Sequence, residues 1–163
     1  MRPEKEEFYR IATSKLLRQL DGMKMTPEQR RRAKKLTLLI RNRFKDHDVK
    51  MATFGPDLGY DISAFTYDAD GFCKASSFTF MTLMNPKNWR LMYINETWTY
   101  GPHHFLMHIP SKQVFDLTAD QYTNVGISIP YEMGYSVTLN EQESQSARRF
   151  AAALAIKNNK QND

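Results

Sequence analysis

The chain has 163 residues, of which 41% are hydrophobic, and a formal net charge of +5. This length fits one domain with its own core, no apolar run is long enough for a membrane span, and the charged start MRPEKEEFYR lacks the apolar stretch of a secretory signal. Cysteine occurs once, which excludes an intramolecular disulfide and makes the cytoplasm the expected compartment.

The first third of the chain predicts two amphipathic helices. Residues 3–20 place apolar side chains at near-helical spacing, and DGMKM then breaks the helix. Residues 26–45 give the clearest helix, because Thr26 and Gln29 form a capping box and Pro27 suits the first helical position. Its buried stripe is predicted to be apolar and to consist of Ala33, Leu36, Leu39, Ile40 and Phe44. The rest of its surface is predicted to be basic, with Arg30, Arg31, Arg32, Lys34, Lys35, Arg41 and Arg43.

The positive charge belongs to the N-terminal part of the chain. Residues 1–50 hold 15 Lys and Arg against 7 Asp and Glu, whereas the remaining residues hold 8 against 11. A basic helix face predicts contact with nucleic acid or an acidic protein, and a simply solvated face is the alternative. The candidate contact residues are the clustered basic ones: Arg30, Arg31, Arg32, Lys34 and Lys35.

Cys73 lies in the first turn of the third predicted helix. Gly71 marks a turn before it, and the helix is expected to end at Asn85, because the following proline disfavours helical backbone there. The preceding residues 46–70, rich in Gly, Pro and Asp, predict loops with one short strand at 60–66.

The second half of the chain predicts strands, loops and a last helix. Alternating apolar residues in WRLMYINETWTY, HHFLMHI and VFDLT predict three strands, residues 119–139 read as loops, and residues 141–157 as a helix. The expected fold class is α+β: N-terminal helices, a central helix that carries the cysteine and packs on a small antiparallel sheet, and a C-terminal helix. We expect a single domain, 1–163, in three parts. These are a basic helical N-terminal part at 1–45, a core at 60–139, and a C-terminal helix and tail at 140–163.

A cysteine, a histidine and an aspartate, which together can form a thiol nucleophile site, occur in this order along the chain. At a helix N-terminus, the helix dipole and free N–H groups favour a thiolate and can hold an oxyanion. A histidine on a neighbouring strand can take and return the thiol proton, and a carboxylate on the next strand can orient its ring. The predicted catalytic residues are Cys73, His103 and Asp116.

The histidine has an alternative next to it. Strand alternation groups His103 with Phe105 on the more apolar face of its strand. We expect that face to pack against the Cys73 helix, with His104 and His108 turned away. His103 is therefore the preferred base, and His104 is the alternative.

The acid also has an alternative. A hairpin folded at residues 110–112 brings Asp116 opposite residues 104–108, one or two positions inside the ideal place for a partner of His103. Asp120, in the TADQ segment, is the second choice, although TADQ reads more like the start of a loop.

This order of residues resembles the papain-like and transglutaminase-like cysteine enzyme superfamily. HHFL is similar to its His-x-aromatic pattern, which maps the family histidine onto His103. VFDLTADQY is similar to the DxTADQF ending of small bacterial and phage members, which maps the family acid onto Asp116. The resemblance covers residues 68–123. It implies a helix packed on a small antiparallel sheet and attack on an amide or related acyl group.

The resemblance is incomplete around the cysteine. GFCKAS replaces the papain signature, and Tyr67 stands where papain-type enzymes place a glutamine that serves the oxyanion. The sequence therefore assigns no side-chain oxyanion donor and leaves only the backbone N–H of Cys73. It also leaves open whether water or an amine accepts the acyl group.

The predicted function is cysteine-dependent hydrolysis or acyl transfer at an amide or isopeptide bond of a protein substrate, without cofactor or metal. Zinc is a minor alternative, because His104 and His108 lie about 13 Å apart in a strand and cannot share an ion. The alternative function is a catalytically inactive binding module, which would use residues 26–45 to dock on nucleic acid or an acidic protein.

Overall fold

A computed structural model describes residues 3–162, with side chains from residue 4 to residue 155, and its fold is α+β. The helices of this part of the chain are α1 (Pro3–Asp21), α2 (Pro27–Arg43), α3 (His47–Phe54), α4 (Cys73–Leu83), α5 (Asp120–Thr123) and α6 (Gln145–Asn162). The strands are β1 (Trp89–Ile94), β2 (His103–His108), β3 (Gln113–Phe115) and β4 (Tyr135–Ser136). None of these helices is long and apolar enough to cross a membrane. Residues 1, 2 and 163 of the expected domain lie outside the described residues.

Helix α2 begins as its sequence predicts. The Thr26 hydroxyl accepts a hydrogen bond from the Gln29 N–H, the Gln29 side chain accepts one from the Thr26 N–H, and Pro27 opens the helix. The prediction for its last turns was wrong. Arg41 and Arg43 are buried instead of exposed, because α1, α4 and α6 all pack against this helix.

The predicted strand at 60–66 is also absent from the structure. Helix α3 forms first, capped by the Asp46 carboxylate, and two short 3₁₀ turns follow at Pro56–Leu58 and Ile62–Ala64. The rings of Tyr60 and Phe65 pack against Phe54, with centroids 4.8 and 5.2 Å away. The aromatic residues of this segment therefore pack the turns back onto α3.

The sheet is antiparallel in the order β3-β2-β1-β4. Its central pair aligns Trp89 with His108 and Tyr93 with His104, and β3 joins with Phe115 opposite Leu106. The edge strand β4 comes from the segment that was expected to be loops.

Helix α4 packs on one face of the sheet, and this is the face opposite to the one that the sequence predicted. The Phe80 ring lies edge-on to Trp89 at 5.1 Å and 5.2 Å from Phe115. Cross-strand partners share a face of a sheet, so His108 and Leu106 lie on this face too. By alternation His104 belongs to the face under α4, while His103 and Phe105 belong to the other.

Candidate active site

Cys73 is held at the start of α4 by the turn before it. Gly71 adopts φ +82°, a conformation that other residues rarely take, and a Cβ there would meet the Phe65 ring. Phe72 is fully buried and stacks on Phe44 at 4.7 Å, which fixes the first turn of the helix. No side chain caps this N-terminus, so its backbone N–H groups remain free to meet a ligand. The Cys73 side chain is half-buried.

His103 and Asp116 form a buried hydrogen-bonded pair. Nε2 of His103 lies 2.7 Å from Oδ2 of Asp116, and the two side chains are 0% and 3% exposed. Continuing the β2–β3 register places Asp116 beside Phe105, on the same face as His103. The structure thus brings together the two partners that the sequence selected.

Two further groups fix the Asp116 carboxylate. Oδ1 accepts a hydrogen bond from the Thr118 N–H at 3.1 Å, and Oδ2 accepts one from the Tyr131 hydroxyl at 2.8 Å. Burial and the Asp116 charge raise the pKa of Tyr131, so its hydroxyl stays protonated and acts as the donor. Asp116 is therefore held from three directions, and the oxygen that faces His103 is shared with Tyr131.

The Cys73 thiol interacts with both adjacent histidines at the start of β2. Burial alone raises the pKa of this thiol, but hydrogen bonding from His103 and then from His104 outweighs burial and lowers the pKa to about 5. Burial likewise opposes charge on His103, but the Asp116 charge and hydrogen bond, followed by Cys73, raise its pKa to about 10. At neutral pH the site therefore holds a thiolate beside an imidazolium.

The nitrogen that serves the thiol is Nδ1 of His103. Nε2 is taken by Asp116, and Nδ1 is a buried atom without a partner of ordinary hydrogen-bond geometry among the described residues. Its interaction with Cys73 is therefore longer or less well aligned than an ordinary hydrogen bond.

His104 is not turned away from the thiol as the sequence suggested. It lies on the face under α4, and because α4 begins at the end of the sheet where β2 starts, Cys73 interacts with both histidines. The Tyr93 ring packs on His104 with centroids 4.8 Å apart. The strand alternation was assigned correctly, but the choice of the face that meets α4 was wrong.

Asp120, the alternative acid, belongs to a separate buried network. Its two oxygens accept hydrogen bonds from Nη1 and Nη2 of Arg41 at 2.8 and 2.9 Å, and Oδ2 also accepts one from the Tyr67 hydroxyl at 2.5 Å. Arg41 donates further to the backbone oxygens of Leu117 and Tyr9. Asp120 thus anchors the TADQ turn to the N-terminal helices and is not available to His103.

Further aromatic rings border the histidine pair. The Tyr122 ring stands edge-on to His103 at 5.0 Å and packs against Trp98 at the same centroid distance. Its hydroxyl donates to the Tyr100 carbonyl at 3.3 Å. These contacts contribute to the complete burial of the His103 ring.

Metal ligation finds no geometric support in the described part of the chain, where no group of three or more His, Cys, Asp or Glu side chains could hold an ion. His108, one of the residues considered for zinc, instead bonds the Ser111 hydroxyl through Nδ1 at 2.9 Å and packs on Trp89.

Three of the five candidate basic contact residues make contacts within the chain. Arg30 donates to backbone oxygens at the end of α1, Arg32 donates to the Leu83 carbonyl at 2.6 Å, and Lys34 pairs with Asp21 at 2.6 Å. The other two, Arg31 and Lys35, are exposed and form no ion pair within the described residues. Of the five, only Lys34 is paired with a carboxylate of the described part of the chain, while Arg31, Arg32 and Lys35 are exposed and keep their charge.

Sequence reasoning missed Tyr131 and Arg41. Tyr131 lies in a segment read as loops, 15 residues beyond Asp116, and no local pattern marks it as a partner. Arg41 carried a usable signal, because it is four positions after Thr37 and eight after Ala33 on the buried side of α2. A cation on the buried side of a helix implies a buried carboxylate partner, but the helix sequence does not identify that carboxylate.

Comparisons with known proteins find no match: no family model matches the chain, and neither a curated protein nor a solved structure matches it at a significant level.

Proposed function

We propose that the protein is a cysteine-dependent hydrolase or acyltransferase that acts on an amide or isopeptide bond of a protein substrate. The observation that carries this proposal is the buried His103–Asp116 hydrogen bond, which leaves Nδ1 of His103 for the single thiol of the chain. A carboxylate–imidazole–thiol series in this order is the arrangement that activates a nucleophile.

Each residue has one role in the reaction. The Cys73 thiolate attacks the carbonyl carbon, a C–S bond forms, and the carbonyl electron pair moves onto oxygen at the N-terminus of α4. When this intermediate collapses, the C–N bond breaks and the leaving amine takes the proton from His103. Asp116 keeps the imidazole oriented throughout. Water or an amine then attacks the thioester carbon while His103 removes its proton, and the C–S bond breaks to return the Cys73 thiolate.

The resemblance to small bacterial and phage members of the papain-like and transglutaminase-like superfamily supports this proposal independently of the geometry. We place the protein in the cytoplasm, where a nucleophilic thiol stays reduced. Arg31, Arg32 and Lys35 are the exposed residues of the basic run that would contact an acidic protein or nucleic acid and so recruit the substrate.

Acylation of the thiol by an activated ester tests the proposal. Wild-type protein is mixed with p-nitrophenyl acetate at pH 6, and intact-mass spectrometry follows the acetyl adduct, which should form rapidly on Cys73 and be absent from Cys73→Ser. His103→Ala should acylate slowly, whereas His47→Ala, which removes an exposed histidine, should match the wild type. Equal rates in the wild type and His103→Ala would overturn the proposed roles.

A further inference from the structure

His104 is the polar side chain at the thiol to which the Cys–His–Asp series gives no role. It is half-buried, lies on the face under α4 and interacts with Cys73, and Tyr93 packs on its ring. Among the described residues its ring makes no hydrogen bond of ordinary geometry with a carboxylate or a carbonyl. His104 therefore keeps N–H capacity beside the thiol that would attack a substrate carbonyl.

The position that supplies a side-chain oxyanion donor in papain-type enzymes cannot supply one here. Tyr67 occupies it, and its hydroxyl donates to Asp120 inside the buried network with Arg41. Burial and the Asp120 charge raise the pKa of Tyr67, so the hydroxyl remains committed as a donor to that carboxylate. The site thus has free backbone N–H groups at the start of α4, and any second donor to an oxyanion must come from a residue other than Tyr67.

We infer that His104 is that donor: a second catalytic histidine that hydrogen-bonds the oxyanion formed when Cys73 is acylated. The inference rests on the proposed function. As the C–S bond forms, the carbonyl electron pair moves onto oxygen, which accepts one hydrogen bond from the His104 ring and another from the α4 backbone. His104 keeps its proton. On collapse the pair returns to the carbonyl, and the leaving group departs with a proton from His103.

Two reactions of the same thiol separate this role from a structural one. Alkylation by iodoacetamide forms no oxyanion, whereas acylation by p-nitrophenyl acetate does. Both rates are measured for the wild type, His104→Leu and His104→Gln over a pH series, and are compared at pH values where the thiol of each variant is fully ionised. Because Cys73 is the only cysteine, intact mass reports one site in both reactions.

We expect His104→Leu to acylate on the order of 10²–10³ times more slowly than the wild type, the usual loss for one oxyanion donor. Its alkylation at full ionisation should be unchanged or somewhat faster, because a thiol of higher pKa is the better nucleophile. His104→Gln keeps an N–H donor and should recover part of the acylation rate.

Three outcomes would overturn the inference, and they are distinguishable. Equal loss in both reactions would show that His104 only supports the fold or the thiolate. Acylation at the wild-type rate in His104→Leu would show that the backbone alone holds the oxyanion. A wild-type protein that is alkylated but never acylated would overturn the proposed function, and this inference with it.

Discussion

Replacing His103 by alanine should change the pH dependence of Cys73 alkylation so that the two rate profiles cross. In the wild type, the thiol pKa of about 5 keeps the thiolate from that pH upward and loses it only as the pH falls through 5. The variant keeps burial, which raises the pKa, and has only His104 to oppose it. Its thiolate should therefore appear at higher pH, toward the ordinary value of 9.0.

The magnitude follows from two opposing effects. At pH 6 a thiol of pKa about 5 is about 90% ionised and one of pKa 9.0 about 0.1%, a ratio of about 10³. A less basic thiolate is also a weaker nucleophile, and a Brønsted coefficient of about 0.4–0.5 over this pKa difference offsets about 40- to 100-fold. The wild type should thus react about 10- to 25-fold faster at pH 6 and about 40- to 100-fold slower above pH 9. These are upper limits, because His104 remains in the variant.

The assay is the rate of iodoacetamide addition from pH 4 to 10, followed by intact mass on a chain with one cysteine. His47→Ala should follow the wild-type profile at every pH. Superimposable profiles for the wild type and His103→Ala, or a wild-type midpoint near 9, would refute the assignment of His103 as the group that ionises the thiol.

Three substitutions test how the site is supported, each by urea unfolding against the wild type. Tyr131→Phe should cost about 1–3 kcal/mol, because the buried carboxylate loses a donor; a loss near zero would mean that the hydroxyl does not hold it. Arg41→Met should cost about 3–5 kcal/mol, because the carboxylate of Asp120 stays buried without its cation. A loss below about 1 kcal/mol there would contradict the buried pair. Gly71→Ala should cost at least about 1–2 kcal/mol from its left-handed backbone alone, and a neutral result would contradict the turn geometry.

Local signals made the helices and the central strands predictable. The capping box at Thr26 and the stop at Asn85 act within a few residues, and strand alternation over residues 103–108 needs no distant partner. The α+β class follows from the order of these elements and is confirmed. Cys73 was placed correctly in the first turn of α4, because a glycine turn precedes a buried helical stripe.

The parts that the sequence did not reveal depend on contacts far along the chain. Which side of β2 meets α4 is decided by Phe80 packing against Trp89 and Phe115, and alternation alone cannot choose between two largely apolar faces. Arg41 meets Asp120 across 79 positions, so the sequence, which placed Arg41 on the exposed basic face, predicted neither its burial nor its partner. The catalytic roles of Cys73, His103 and Asp116 stay a prediction, although the structure places the three together.

The two carboxylates of the VFDLTADQY segment, Asp116 and Asp120, differ in the basic group that each one contacts. Asp116 faces the His103 ring, whose pKa it helps to raise to about 10, whereas Asp120 faces a guanidinium that stays charged at every accessible pH. The cation that anchors this segment to α1 and α2 therefore keeps its charge over the whole titration of Cys73. A change of Cys73 reactivity with pH should consequently not arise from loss of charge on Arg41.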